Sequence, residues 1–420
     1  MAPFNFDGSC ENIGDGVLDF IYKVIKEQDI KVQKITLKPV GKPGDNFAAN
    51  VKRVVVEGED RSFQLIAKLA PQNENARKLV KITEVSMNEH IMYTEFLPKI
   101  EQLQKEAEVP KADRLRYAKC YGSLTDYLKE VILLEDLALS DFSILDKFVS
   151  LNNICVKSVL KNMAILHSFS YILKSREPET FNSLKSRLSD IWYLLSKEDN
   201  MKVVAEQFQN NILSAFEEDI DVKNKIQSNF ENLFTNTVDL AEFEYNNKHS
   251  VILQADPWTN NFMFRFEEEQ LLESIMIDYQ LSKNGNPVND IMALIFNCTD
   301  YESRSKHYFE WLDFYHAELD KSLSYFNLSA KSVYPRSEMD ADIKRYAQFL
   351  FAQSCIACVI AMRTGAEAVE MVDAMQNSSD YSELVNSVKT DTLKDKSLAF
   401  MKGKIMNILT SFEELGIFSD

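Results

Sequence analysis

A chain of 420 residues is long enough to bury a large core and to form two or three structural units. With 45% hydrophobic and 26% charged residues it has the composition of a globular protein, which excludes intrinsic disorder. A formal net charge of −17 argues against a nucleic-acid partner, because phosphate binding depends on clustered Lys and Arg.

The opening MAPFNFDGSCENIGDG lacks a basic region followed by an apolar one, so no signal peptide is expected. The longest apolar stretch, residues 349–362, is too short to span a bilayer and carries Gln353 and Ser354, which predicts a buried helix and no membrane partner. Six cysteines are scattered rather than dense, unlike a secreted disulfide scaffold. Cys355 and Cys358 form a CxxC inside the apolar run with no second CxxC and no nearby His, so they read as small apolar residues packed on one helix face. A cytoplasmic location is expected.

Residues 11–28 have apolar positions near helical spacing (Ile13, Val17, Leu18, Ile21, Val24, Ile25), which predicts an amphipathic helix. From Gln33 the period changes to that of strands: KITLKPV, FAANVKRVVVEGED and RSFQLIAKLAP, joined by Gly and charged turns, predict an antiparallel meander. Lys68 alternates out of the third strand among apolar neighbours, and an ammonium there must reach solvent or meet an anion, since an unpaired buried charge is costly. In the helix that follows, Glu89 shares a stripe with Val85, Met92 and Phe96. An acid on that buried face wants a cation, and Lys68 is the natural one. Next, KEVILLEDL has the form of a buried strand ending in acidic residues, with Asp136 and Asp141 readable as helix and turn caps.

From about residue 145 the pattern turns helical. Val156, Leu160, Met163, Ala164 and His167 fall near one face, where His167 reads as a hydrogen-bonded core residue rather than a catalyst. The stretch VILQADPWTNNFMFRFEEEQLLESIMIDYQ (251–280) then reads as strand, loop and hairpin. It places Asp256 five residues before Asn261 and returns Asp278 at the end of the second hairpin strand. In phosphotransferases of the protein-kinase type, such an Asp orients the acceptor hydroxyl, the Asn helps hold a metal, and the second Asp binds the Mg²⁺ that bridges the ATP phosphates. Five residues of tight loop can turn Asp256 and Asn261 toward one cavity, and the hairpin brings a third oxygen ligand back to it. The same chemistry gives Lys68 and Glu89 the job of clamping the phosphates. After a turn-rich loop, Asp290 is most simply the N-cap of a helix, with a second role bracing the loop. Residues 300–420 read as helical. Their aromatics between 301 and 315 are core or the lining of an acceptor pocket.

The segments QADPWTNN and IDYQLSKNGNPVNDI resemble the insect ecdysteroid kinase-like family, relatives of choline kinases and aminoglycoside phosphotransferases, whose usual forms are close to HGDxWxNN and DFQxxxxGxPxxDL. Gln254 and Ala255 stand where that family has His and Gly, and the family's His has mainly a structural role behind the metal-binding loop. The resemblance implies that a loop containing Asn46 covers the phosphates, with Ala49 in place of the usual Ser. It also implies that Glu135, Asp136 and Leu137 form the hinge, whose backbone groups bond adenine.

The expectation is an α+β, bilobal protein-kinase-like fold, with a small antiparallel β lobe and a large, mainly helical one. It comprises an N-terminal helical extension (1–29), a small nucleotide-binding lobe (30–135) and a helical lobe with the catalytic loop and acceptor site (136–420). ATP and Mg²⁺ are the expected cofactors. Asp256 is the catalytic residue, Asn261 and Asp278 are the metal ligands, and Lys68, Glu89, Asn46, Glu135 and Leu137 bind the nucleotide. The resemblance implies an alcohol acceptor, an ecdysteroid or another lipophilic compound, and the chain is expected to be a monomer. The alternatives are a choline- or ethanolamine-type kinase and a pseudokinase that binds nucleotide or ligand without transfer.

Overall fold

The computed structural model describes residues 5–11, 13–41, 50–198, 201–230, 233–363, 365–387, 389 and 393–418. Six strands make the principal sheet: β1 (Phe6–Gly8), β2 (Val32–Pro39), β3 (Asn50–Gly58), β4 (Ser62–Leu69), β5 (Cys120–Leu124) and β6 (Val131–Glu135). Their order across the sheet is β1-β2-β3-β4-β6-β5. The β2-β3-β4 meander and the β5-β6 pair are antiparallel as the alternation predicts, but β1 runs parallel to β2, with Phe6 opposite Ile35. A three-residue edge strand has too few side chains to show a period of two.

The amphipathic helix Asp15–Lys26 buries Val17, Ile21, Val24 and Ile25 against Ile35, Leu37, Val54, Val56 and Leu65 of this sheet. The helix that carries Glu89 runs from Ile82 to Ile91, passes through a π turn at Met92–Phe96 and continues from Leu97 to Glu106. Pro98 accounts for the irregular turn: it has no N–H to donate, and its ring would clash with the Thr94 carbonyl in a regular α-helix.

A second core is built mostly on helices. Asn153–Arg176 is its spine, with Val156, Leu160, Met163, Ala164 and His167 fully buried, and Tyr301–Ser324 packs along it. Tyr308, Trp311 and Tyr315 of the latter helix lie in this core, so the aromatics of 301–315 that point inward are packing residues, while Phe309 is exposed. Into the same core run β7 (Phe142–Ile144), β8 (Val251–Ile252), β9 (Phe262–Glu267), β10 (Gln270–Met276) and β11 (Asn284–Gly285). The hairpin β9-β10 takes β7 as its third strand, and β8 pairs with β11.

Cys355 and Cys358 are both buried and free in the helix Ala347–Ala361. Among the described residues no single helix is long and apolar enough to cross a membrane; Ala347–Ala361 and Gly365–Met375 reach that length only as a pair bent by 107°.

Candidate active site

Between the sheet and the helices lies a cleft of about 1550 Å³. Opposed residues of an antiparallel pair point to the same face, so the pairings Val51 with Lys68 and Arg53 with Ile66 turn all four side chains toward it. Lys68 Nζ is held 2.9 Å from Glu89 Oε2 and 2.6 Å from Asp278 Oδ1. Burial works against the Lys68 ammonium, but the charges of Asp278 and Glu89 outweigh it and hold the group above its usual value. Lys68 therefore remains protonated between two carboxylates. The π-turn helix is fixed to the far side of the cleft by the neighbour of Glu89: Asn88 Nδ2 donates to the Ser189 and Gln280 carbonyls, and its Oδ1 accepts from Ser189 N.

The loop after β8 is built around buried hydrogen bonds. Asn261 Nδ2 donates to both Oδ2 and the backbone carbonyl of Asp256, each at 2.9 Å, which fixes the Asp256 rotamer and the sense of the amide. Asn261 Oδ1 is thereby turned away from Asp256. The Asp256 carboxyl opens on the cleft yet lies deep, and burial, reinforced by the charge of Asp278, raises it to about 7.

The Gln254 side chain takes part in three bonds. Its Nε2 donates to the carbonyls of Ile277 and Asp278, and its Oε1 accepts from Asp256 N. It thus ties the end of the hairpin to the start of the Asp256–Asn261 loop, a job that needs a side chain able both to donate and to accept.

Asp290 is not the N-cap predicted from sequence. Its helix begins two residues earlier, at Val288 after Pro287, and the carboxylate turns inward instead. There it accepts from Gln254 N at 2.8 Å, Ala255 N at 2.9 Å and His167 Nε2 at 3.1 Å. His167 in turn meets Tyr315 OH at 2.8 Å through Nδ1. With Asp290 as the acceptor, the imidazole carries its proton on Nε2. His167 is thus a core residue, as expected, and one that supports the loop through Asp290.

Ala255 has φ 67°, in the left-handed region that favours glycine. Ala255→Gly should raise unfolding free energy by about 1 kcal/mol, the order of the left-handed penalty for a residue with a Cβ. Chemical denaturation checks this, and a loss of stability would contradict the strain.

Glu135, Asp136 and Leu137, which the resemblance implies as the hinge, line the cleft. Among their backbone groups, Glu135 N donates to Lys119 O, Asp136 O accepts from Leu139 N, and Leu137 O accepts from Asp141 N. Asp136 caps the turn Leu137–Ser140 through Ala138 N, and its carboxylate is gripped by Arg53, whose Nε lies 2.5 Å from Oδ2. Sequence reading missed Arg53, although a period of two from Val51 places it on the cleft face. Asn46 and Ala49 fall outside the described residues.

The other half of the cleft is walled by side chains that sequence reading did not single out. Trp192, Phe208, Phe349, Ile356 and Ile360 are among them, from helices between 191 and 361.

A β lobe carrying a Lys–Glu pair, a cleft, and an Asp–Asn loop followed by a hairpin that ends in Asp define a protein-kinase-like phosphotransferase fold. The chain belongs to the ecdysteroid kinase-like family, whose model matches residues 43–328. This is a family of kinase-like small-molecule phosphotransferases. No curated protein matches the chain. Among solved structures, it is similar to a Plasmodium vivax ethanolamine kinase, at 12% identity and TM-score 0.40 over 94% of this chain and 90% of that one. It is also similar to the GDP complex of an aminoglycoside 2'-phosphotransferase, at 12% identity and TM-score 0.41 over 92% and 98%. A spectinomycin phosphotransferase in complex with ADP and spectinomycin gives 11% and 0.38 over 91% and 98%.

Proposed function

We propose that this protein transfers the γ-phosphoryl group of ATP to an alcohol on a lipophilic small molecule of the ecdysteroid type. The observation that carries the reading is the ammonium of Lys68, held by Glu89 and Asp278 in the cleft that the Asp256–Asn261 loop also lines. The base of the nucleotide would lie between Val51, Ile66 and Leu137, and Lys68 would meet its phosphates. Asp256 would accept a hydrogen bond from the acceptor hydroxyl and aim its oxygen at the phosphorus. Asn261 would hold Asp256 in that rotamer, and Gln254 and Asp290 would hold the loop.

The donor set suits magnesium. Asn261 Oδ1 and the second carboxylate oxygen of Asp278 are hard oxygen ligands, and Mg²⁺ completes its shell with water and phosphate rather than an all-protein cage. Among the described residues no group of three His, Cys, Asp or Glu side chains able to hold a metal is found. When bound, the ion supplies neutralisation of the charge on the phosphate oxygens.

The apolar wall supports a lipophilic acceptor. A choline-type cation would need an aromatic and acidic cage, whereas the carboxylates lining the cleft outside the nucleotide half are Asp146 and Asp256. The bonds of Gln254 support a working loop over a decayed one, since each of its side-chain atoms has a structural task.

The test is transfer of label from γ-labelled ATP to a panel of hydroxysteroids, with Mg²⁺ present. Label on a steroid hydroxyl is the expected result. Nucleotide binding without transfer to any alcohol would overturn the reading.

A further inference from the structure

The helix Ala347–Ala361 turns its two sides to different surroundings. Leu350, Phe351 and Cys355 are buried in the core. Phe349, Gln353, Ile356 and Ile360, at successive spacings of four, three and four residues, form a stripe that lines the cleft. Three of those four are apolar. Gln353 is half-buried and lines the cleft, and its amide makes no hydrogen bond among the described residues.

A second residue of this wall is likewise unpartnered. Trp192 remains 37% exposed inside the cleft, and its side chain makes no hydrogen bond or ring contact among the described residues. Its place is nevertheless fixed. Asp190 caps the helix Ile191–Ser196 by accepting from Tyr193 N at 3.1 Å, and its other carboxylate oxygen meets Lys283 Nζ at 2.7 Å. Lys283 is buried and lies 3.6 Å from Glu244, so this ion pair joins the start of the Trp192 helix to the loop after the hairpin. Trp192 and Gln353 also converge. Together with Phe349, Ala255 and Pro257 they line one side cavity of about 20 Å³, so both stand around a single small space beside the loop that carries Asp256.

A free amide in an apolar wall selects among ligands. In the open cleft water can satisfy it, but an apolar molecule that fills the wall strips that water and leaves the amide unpaired. A molecule with an oxygen at that point restores the bond. We propose that Trp192 and Gln353 form the specificity subsite for the acceptor. On the phosphotransferase reading, on which this rests, the acceptor is a lipophilic alcohol that carries a second oxygen function, a hydroxyl or a ketone, apart from the hydroxyl that reacts. Trp192 and the apolar stripe take its skeleton, and Gln353 bonds the second oxygen, donating to a ketone and either donating to or accepting from a hydroxyl. A wholly apolar mono-alcohol is discriminated against because it leaves the amide unpaired.

Equilibrium binding to the full chain tests this with three probes on one skeleton: androstanol, androstanediol and the hydroxyketone androsterone. The diol and the hydroxyketone should each bind about fivefold more tightly than the mono-alcohol, the size of one neutral hydrogen bond. Gln353→Leu and Gln353→Met, which keep the bulk and remove the amide, should abolish that preference without weakening the mono-alcohol. Trp192→Ala should weaken all three probes by about tenfold, the loss expected for an aromatic anchor. Denaturation midpoints identify a variant that fails to fold, and the comparison of probes on the unaltered protein does not depend on any variant. Equal binding of the three probes, a preference that survives removal of the amide, or unchanged affinity in a folded Trp192→Ala protein would overturn the subsite. So would the absence of any probe binding by a protein that binds Mg·ATP. The expected binding pattern in a protein that transfers no phosphate from ATP to any alcohol would instead overturn the phosphotransferase reading and leave the subsite standing.

Discussion

Asp256→Asn is expected to lower turnover by roughly two to four orders of magnitude, the range for losing a positioned acid–base group. The amide is nearly the same size, but it cannot hold the acceptor proton as a carboxylate does. Asn261 Nδ2 can still donate to the remaining oxygen, so the loop should keep its shape. Nucleotide affinity should change little, because the phosphates are held by Lys68 and by the hairpin end. Turnover and nucleotide binding measured on one preparation check this, and retained turnover would remove Asp256 from the role.

The second large effect is structural. Asp290→Asn should destabilise the fold by about 2–4 kcal/mol and impair transfer as well, because it replaces an anion fully buried under three donors. An amide offers one oxygen and brings two N–H groups into a place already supplied with donors. Denaturant titration together with turnover would show it. A variant as stable as the parent would mean that Asp290 does not hold the loop. His167→Phe should move in the same direction by less, since it removes one of those three donors.

That Asp256, Asn261, Asp278, Lys68 and Glu89 share one cleft was legible in the sequence because each follows from local spacing. The distance from Asp256 to Asn261, the hairpin return to Asp278, the strand alternation at Lys68 and the helical stripe at Glu89 are each read within a few residues. All five side chains line the same cleft in the structure. What the sequence hid depends on contacts between distant segments. Of the two roles the sequence offered Asp290, cap and brace for the loop, only the second is filled, and the sequence could not show that because an Asp before an apolar helix suits either. The sign against the cap was Pro287, a residue favoured at a helix start, which moves that start upstream. The two-residue strand β11 is too short to show a period. The helices that wall the other half of the cleft gave no sign of it, because an apolar residue that lines a cavity looks the same in sequence as one that fills a core. The Arg53–Asp136 pair joins residues far apart in the chain, one of which had a sufficient local explanation as a cap.

A nucleotide site completed by a metal at the hairpin end predicts a dependence that calorimetry reads: ATP binding with and without Mg²⁺, on the unaltered protein and on Asp278→Asn. Binding that depends on Mg²⁺, and that weakens sharply when Asp278 loses its charge, is the expected result. Binding with the same affinity in all four conditions, in a folded variant, would contradict it.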